Sequence, residues 1–488
     1  MSYHQYIFNT IESDINVILD EIAQIYQLKE QAKRVSYTTL LDTFDWRLYH
    51  NNRYLHEYKP FRKSATRILT SIKEQQEVDQ TEIEKIIEMR ILLPQIKIKN
   101  QQTQYDVLDT ERKTVARLIV DASTTLPLVI KLVALRGYQK PYNQVKKLIE
   151  SNTELSILKE PITIKALVLQ NKKIGDYNTK LNFKLKPKAP ILKTTQKIQQ
   201  HLLSTIEANI NGVKQNIDSE FLHDFRVAVR RTRSALTQIK GVFSIEQTLL
   251  FKTNFAEFGQ KTGAVRDLDV YLLAFNDYQH SLPENFQPAL LAFKDFLIQQ
   301  HQIEQRKLKQ FLNSPDFKNK IILWRNFLTQ KQAQYGENSD CPSLAFANQG
   351  IWKLYKKVKK QGNQINQDSP ASALHDLRKS CKKLRYIMEF FSSLYPSEIN
   401  HQIKHLKKLL DNLGDFQDFE VQAQQLEKFA TEMAQQKALK IEVNTYLAMG
   451  ILVKGLIERQ NQARADFSVI FKQFVTPERE QFFKMIKQ

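Results

Sequence analysis

His223-Asp224-Phe225-Arg226, followed by Arg230, Arg231 and Arg233, returns later in the chain as His375-Asp376-Leu377-Arg378, followed by Lys382, Lys383 and Arg385. Side chains of these types hold oxyanions. The planar guanidinium fork donates two hydrogen bonds at once to phosphate, whereas an ammonium acts as a point charge. An imidazole contributes a neutral N–H donor, or a charge when it lies beside phosphate. At about 100° per residue of an α-helix, His223, Arg226, Arg230 and Arg233 fall within an arc of roughly 80°. His375, Arg378, Lys382 and Arg385 do the same. Beside each cationic row runs an apolar one: Leu222, Phe225, Val229 and Leu236 in the first copy, Leu374, Leu377, Cys381 and Met388 in the second. Each helix is expected to bury one stripe and to hold its cations at the edge of the core. A solvated charged face would not explain a histidine at the same place in both copies.

The duplication extends further. Gly263-Ala264-Val265-Arg266-Asp267-Leu268-Asp269-Val270 matches Gly414-Asp415-Phe416-Gln417-Asp418-Phe419-Glu420-Val421, and Lys252 falls opposite Lys404. Asp267 and Asp418 are placed to orient basic side chains or to cap a helix. Asp224 and Asp376 project away from the rows and read as surface partners of nearby cations, where an ion pair contributes only about 0–1 kcal/mol. His401 and His405 lie one turn apart, but no carboxylate accompanies them in a His-Glu-x-x-His arrangement, and Lys404, Lys407 and Lys408 would repel a cation. Trp352 reads as packing. No phosphate-binding glycine loop, nucleophile elbow or zinc spacing occurs, so the reading contains no catalytic residue, metal site or cofactor.

The whole chain fits an anionic partner. Its 72 Lys and Arg against 52 Asp and Glu give a net charge of +20. That points to nucleic acid, anionic lipid or a phosphate polymer. A length of 488 residues implies more than one domain. Only 12 Gly and 14 Pro argue for long helices with few tight hairpins. Two cysteines, Cys341 and Cys381, cannot make a disulfide framework, and a reducing cytoplasm is the expected location. The first residues lack a signal-peptide pattern, and no apolar run reaches the roughly 20 residues of a membrane span. A soluble protein without a membrane partner is expected.

Residues 1–178 read as one α+β domain. Ile11–Leu28 has helical spacing; strand-like stretches lie within Arg34–Tyr58 around a turn near His50. Ile91–Ile98, Val115–Val120 and Pro161–Leu169 read as strands, and Pro141–Ser151 as a helix. Residues 179–190 form a proline-containing linker. From residue 191 to 488 the apolar spacing is helical throughout. Helices are expected at about 191–215, 218–240, 245–280, 284–312, 316–334, 343–362, 370–393, 397–414, 415–436 and 440–474. Asp218 or Ser219 is placed to cap the first basic helix, and Ser369 with Pro370 the second. Repeat 1 spans about 191–335 and repeat 2 about 340–488, forming two helical bundles related by pseudo-twofold symmetry. Self-pairing of the bundles would turn both cationic rows toward one central groove.

These motifs resemble the CHAD family, the conserved-histidine α-helical domain. The resemblance rests on His-Asp-Phe-Arg-Val-Ala-Val-Arg-Arg-Thr-Arg from His223, on its second copy with Lys382-Lys383-Leu384-Arg385-Tyr386, and on the Gly263 segment. It covers about 300 residues with both copies in order. It implies a pair of four-helix bundles binding inorganic polyphosphate in a basic central channel, with association with polyphosphate granules. The family's basic positions fall on His223, Arg226, Arg230, Arg233, His375, Arg378, Lys382 and Arg385, with Lys252 and Lys404 added. One departure stands out: Gln417 replaces the arginine that Arg266 provides in the first copy.

The N-terminal domain resembles, more distantly, the CYTH or triphosphate-tunnel β-barrel. Leu41-Asp42-Thr43-Phe44-Asp45-Trp46-Arg47-Leu48-Tyr49, the segment Asp106–Ala116, and Arg136-Gly137-Tyr138-Gln139-Lys140 carry that likeness. The family's opening Glu-x-Glu-x-Lys is absent from residues 1–30, and Glu82-Ile83-Glu84-Lys85 has the wrong spacing. Leu55-His56-Glu57-Tyr58 stands where paired basic residues are expected. Triphosphate hydrolysis needs a divalent cation held by several carboxylates, so this resemblance implies a degenerate, non-catalytic domain.

Three functions compete. The first is polyphosphate binding without chemistry. The second is metal-dependent hydrolysis of inorganic triphosphate by the N-terminal domain. The third is nucleic-acid binding, disfavoured because aromatic residues are not interleaved with the basic rows and no groove-reading motif occurs. Oligomeric state and polymer length are not written in the sequence.

Overall fold

The computed structural model describes residues 3–11, 14–60, 65–71, 80–330, 335–436 and 441–487. It divides into two units, Met1–Asn178 and Thr179–Gln488.

The first unit is an antiparallel sheet with short helices. In chain order it runs β1 (Tyr3–Phe8), α1 (Asn16–Ala23), β2 (Gln27–Glu30), β3 (Arg34–Asp42), α2 (Arg47–His50), β4 (Arg53–Pro60), β5 (Thr66–Ser71), α3 (Gln80–Ile87), β6 (Leu93–Leu108), β7 (Thr114–Ser123), β8 (Leu126–Ala134), α4 (Gln139–Ser151), β9 (Leu155–Ile157) and α5 (Ile162–Leu169). The strand order is β5-β4-β3-β6-β7-β8-β1-β9, with β2 also on β6. Among the described residues β5 and β9 do not pair with each other, so the expected barrel is open, in keeping with a degenerate example. Period-two alternation on β6 buries Ile96, Ile98 and Asn100 on one face and exposes Lys97 and Lys99 on the other. The apolar part of that inner face packs against α5 through Ile164 and Leu167.

Three sequence expectations change here. Ile162–Leu169 is a helix, not a strand. A short apolar run fits either state, and periodicity alone does not separate them. Among the described residues the helix expected over Ile11–Leu28 is confined to α1, after which the chain joins the sheet as β2; residues 12 and 13 lie outside the described residues. Tyr3–Phe8 is a strand that the pattern did not reveal.

The second unit is helical. Its elements are α6 (Ile191–Gln215), α7 (Ser219–Gln238), α8 (Ile245–Lys261), α9 (Gly263–Leu273), α10 (Phe275–His280), α11 (Leu291–Asn313), α12 (Pro315–Thr329), α13 (Ser343–Asn363), α14 (Ala371–Phe391), α15 (Glu398–Gln435), α16 (Val443–Phe474) and α17 (Pro477–Lys487). Helices α6, α7, α8–α9, α11 and α12 correspond in order to α13, α14, α15, α16 and α17. Neighbours match as well: α6 packs on α7 and α12, and α13 on α14 and α17. The single helix expected at 245–280 is broken at Thr262 and Ala274, whereas the two expected at 397–436 are one. Helix α17 was not foreseen. The expected helix ends at 331–334 and at 440 lie outside the described residues.

The pseudo-twofold is visible in the backbone. Pro190 and Pro342, related by the same offset as His223 and His375, pair with each other in an isolated antiparallel bridge. Around it Ile191 N–H donates to Cys341 O at 2.8 Å and Ser343 N–H to Ala189 O at 2.9 Å. Away from this axis the copies share a core, in which Tyr271, Phe293 and Phe296 of the first meet Phe429, Met449 and Leu452 of the second.

Candidate anion-binding site

The two basic helices bury the stripes that the sequence assigns them. Leu222, Phe225, Val229 and Leu236 are buried on α7, and Leu374, Leu377, Cys381 and Met388 on α14. Asp218 caps α7, its carboxylate accepting from the N–H groups of Glu220 and Phe221. Gly212 lets α6 approach closely, since a Cβ there would stand 2.1 Å from the Phe221 ring. At α14 the capping expectation is corrected. Pro370 occupies the N-cap, no side chain caps the helix, and the Ser369 hydroxyl turns back to Asn366.

Burial on one side fixes the cations on the other. Arg226 Nη1 donates to Gly259 O and to Thr262 Oγ1, both at 2.8 Å. Those acceptors sit where α8 ends and α9 begins, so the guanidinium satisfies a carbonyl at the helix break. Burial pushes the Arg226 guanidinium below its ordinary pKa; Asp267 opposes this, and Arg230 and Arg266 add to it. Asp267 is itself pushed up by burial, against the pull of Arg226 and Arg266.

In the second copy Arg378 finds different partners. Its Nη1 donates to Gln417 Oε1 at 2.8 Å and its Nη2 to Asp418 Oδ1 at 2.9 Å. Gln417 and Asp418 stand where Arg266 and Asp267 stand in the first copy. Where Thr262 offers a hydroxyl, the second copy has the buried Leu413.

The two rows meet. Helices α7 and α14 pack on each other, and Arg231 Nη2 donates to Glu389 Oε2 at 3.2 Å across them. Glu389 also faces Arg385 at 3.5 Å, one turn back on its own helix. Lys382 has its pKa pushed down to about 8, first by burial and then by Arg378 of its own row and Arg230 of the other. An ammonium that feels guanidiniums from both copies lies in their common field. Arg230, which holds in the first copy the position that Lys382 holds in the second, is exposed, and Lys382 is half-buried.

The structure therefore joins Arg226, Arg230, Arg378, Lys382 and Arg385 into one cationic cluster, with Arg266 added. Sequence reasoning put Arg266 in the matched glycine segment without assigning it to the anion set. It also missed Glu389, although the spacing Arg385-x-x-x-Glu389 marks a helical ion pair. Arg233 is exposed beside Gly259. His223 and His375 are half-buried on the same helices, Lys252 is half-buried on α8, and Lys404 is exposed on α15. Lys404 lies instead in the field of His405, whose pKa is lowered by burial, then by Arg479 and His401. Trp352 and Tyr355 stack, with Tyr355 against Phe483, so Trp352 packs as expected.

In the first unit the chemistry is different. Tyr3–Phe8, the opening strand, carries no carboxylate. Among the described residues no three His, Cys, Asp or Glu side chains group closely enough to hold a metal ion. The described residues do not fit the divalent cation that the triphosphate-tunnel resemblance implies. No helix among the described residues is long and apolar enough to cross a membrane.

Residues 197–427 match the CHAD-domain family model, and the helical part of this chain is a CHAD domain. Among solved structures, the CHAD domain from the plant Ricinus communis is similar at 24% identity and a TM-score of 0.50, over 60% of this chain and 94% of that one. PptA from Streptomyces chartreusis aligns at 12% identity and a TM-score of 0.47, over 58% of this chain and 100% of that one. A Hippeastrum protein described as a candidate adenylyl cyclase with dominant triphosphatase activity aligns at 6% identity and a TM-score of 0.21, over 36% of this chain and 99% of that one. No curated protein matches the sequence.

Proposed function

We propose that the helical unit binds inorganic polyphosphate along the cluster where α7 and α14 meet, without chemistry of its own. The observation that carries this reading is the packing of α7 on α14, which sets Arg230 of the first copy and Lys382 of the second within one electrostatic field. Like charges so close repel one another and cost stability. A polyanion converts that cost into affinity, because each phosphate meets a donor whose water is already partly removed. On this reading Arg230 and Lys382 are the foremost contacts, Arg226 and Arg378 stand behind them, and granule association follows from affinity for the polymer.

The test is a titration of the full chain with long-chain polyphosphate at several salt concentrations, with duplex DNA as competitor. Counterion release predicts a linear fall of log K with log salt, of slope about −0.7 per contacted phosphate if the polymer behaves like a single strand. Arg230→Ala with Lys382→Ala should flatten the slope by about 1.4. These side chains serve better than Arg226, which holds a helix break. An unchanged slope in the double variant, or displacement by DNA at equal phosphate concentration, would refute the reading.

A further inference from the structure

The concave face of the sheet in the first unit holds a cavity of about 220 Å³. Its lining comes from β3, β4, β6, β7, β8 and β1 and from residues 158–163, which lead into α5. The register makes the polar residues a continuous belt, because Thr38 lies opposite Tyr58, Ser36 opposite Asn100, Gln102 opposite Asp121, and Lys131 opposite Gln5. We propose that this cavity binds a neutral polyhydroxylated small molecule of about hexose size, a cyclic polyol or sugar, and not a polyanion.

Charge carries the first part of the argument. Asp121 and Lys131 face each other at 3.4 Å, and Gln102 Nε2 also donates to Asp121 at 2.9 Å. The other charged lining residues, Lys159 and Glu160, are neighbours of opposite sign on the exposed rim. Among the described residues no arginine lines the cavity. A phosphate chain entering it would lose its water and gain no uncompensated cation, which is strongly unfavourable. The imidazole supplies no charge either: burial, then Lys131, lowers the His56 pKa to about 4.

Hydrogen-bonding capacity carries the second part. Asn100 Nδ2 donates to Thr38 Oγ1 at 3.0 Å and His56 Nε2 pairs with Thr163 Oγ1 at 2.9 Å. These bonds hold planar amide and imidazole groups in fixed orientations while hydroxyls alternate with them. Tyr54 and Tyr58 add aromatic surface on one wall. Fixed amides, carboxylate and hydroxyls beside an aromatic wall suit a ligand that both donates and accepts at every hydroxyl and presents C–H faces between them. Helix α5 closes one end of the face: Ile164 and Leu167 pack on its apolar part, while Ile162 and Thr163 line the cavity.

The test is saturation-transfer NMR on the full chain with myo-inositol and D-glucose, alongside hydrogen exchange of the β3, β4 and β6 amides. At least one polyol should receive saturation and slow exchange on those strands several-fold. Gln102→Leu should reduce the transfer at least fivefold, whereas Arg230→Glu with Lys382→Glu in the helical unit should leave it unchanged. Should Gln102→Leu disturb folding, seen as faster exchange throughout β6 without ligand, Ser36→Val serves as the second variant. Absence of transfer from both polyols, or protection of the same strands by tripolyphosphate in place of a polyol, would overturn the proposal. Neither result bears on polyphosphate binding by the helical unit, which the salt titration tests separately.

Discussion

The two copies of the helical repeat begin with the same arginine and use it differently. Arg226 is drawn inward: it satisfies Gly259 O and Thr262 Oγ1 at a point where the following helix breaks. Arg378 meets Gln417 and Asp418 on a helix that runs unbroken from Glu398 to Gln435. The cause is a pair of substitutions. Where the first copy has Thr262 and Arg266, the second has Leu413 and Gln417. A leucine offers no hydroxyl, and a glutamine, unlike an arginine, can accept. Duplication preserved the cations and let their supports diverge, so one copy commits its arginine to a helix break while the other holds it with side-chain acceptors on an unbroken helix.

The largest effect should come from reversing charge at the seam. Arg230→Glu with Lys382→Glu should weaken polyphosphate binding at least a hundredfold in a salt-controlled titration, because it removes two contacts and adds repulsion. A loss below tenfold would detach the seam from the binding site.

Next comes stability. Arg226→Ala leaves a carbonyl at the helix break without its charged donor and should cost about 1.5–3 kcal/mol in chemical denaturation. Arg378→Ala should cost about 1 kcal/mol or less, since its partner Asp418 is 57% exposed. Equal costs would erase the distinction between the copies.

Lys382 gives a pH signature. Its pKa lies near 8 in the folded chain against 10.5 for an ordinary lysine. The unfolded chain binds more protons in that interval, so in the absence of polyanion stability should rise as pH goes from 8 to about 10. Bound polyanion favours the ammonium, so affinity should fall over the same interval, by at most about tenfold per pH unit. Lys382→Arg should flatten both curves. Smallest is Gln417→Arg, which restores the first copy's arrangement. Polyphosphate affinity should rise a few-fold, while Arg378 loses its amide acceptor and stability falls by about 1 kcal/mol.

Much of this was legible in the residues. The helix at 191–215 and both basic helices follow from apolar spacing, and the buried stripes were named residue by residue. Pseudo-twofold pairing followed from the repeated His-Asp-x-x-Arg order. What escaped depends on tertiary contacts. The break after Lys261 is stabilised by Arg226, a residue far away in sequence, whereas Arg378 donates to the side chains of Gln417 and Asp418 and the helix there stays continuous through Gly414. Ile162–Leu169 is a helix because it covers an apolar sheet face, which a local pattern cannot reveal. Glu389 at the seam was hidden because its significance lies in Arg231 of the other copy.

The central claim is that both rows serve one anion. Calorimetric titration with a short polyphosphate tests it most directly. One binding event per chain, weakened by Arg230→Glu alone and by Lys382→Glu alone, is the predicted result. Two independent events, each abolished by the variant in its own copy and untouched by the other, would contradict it.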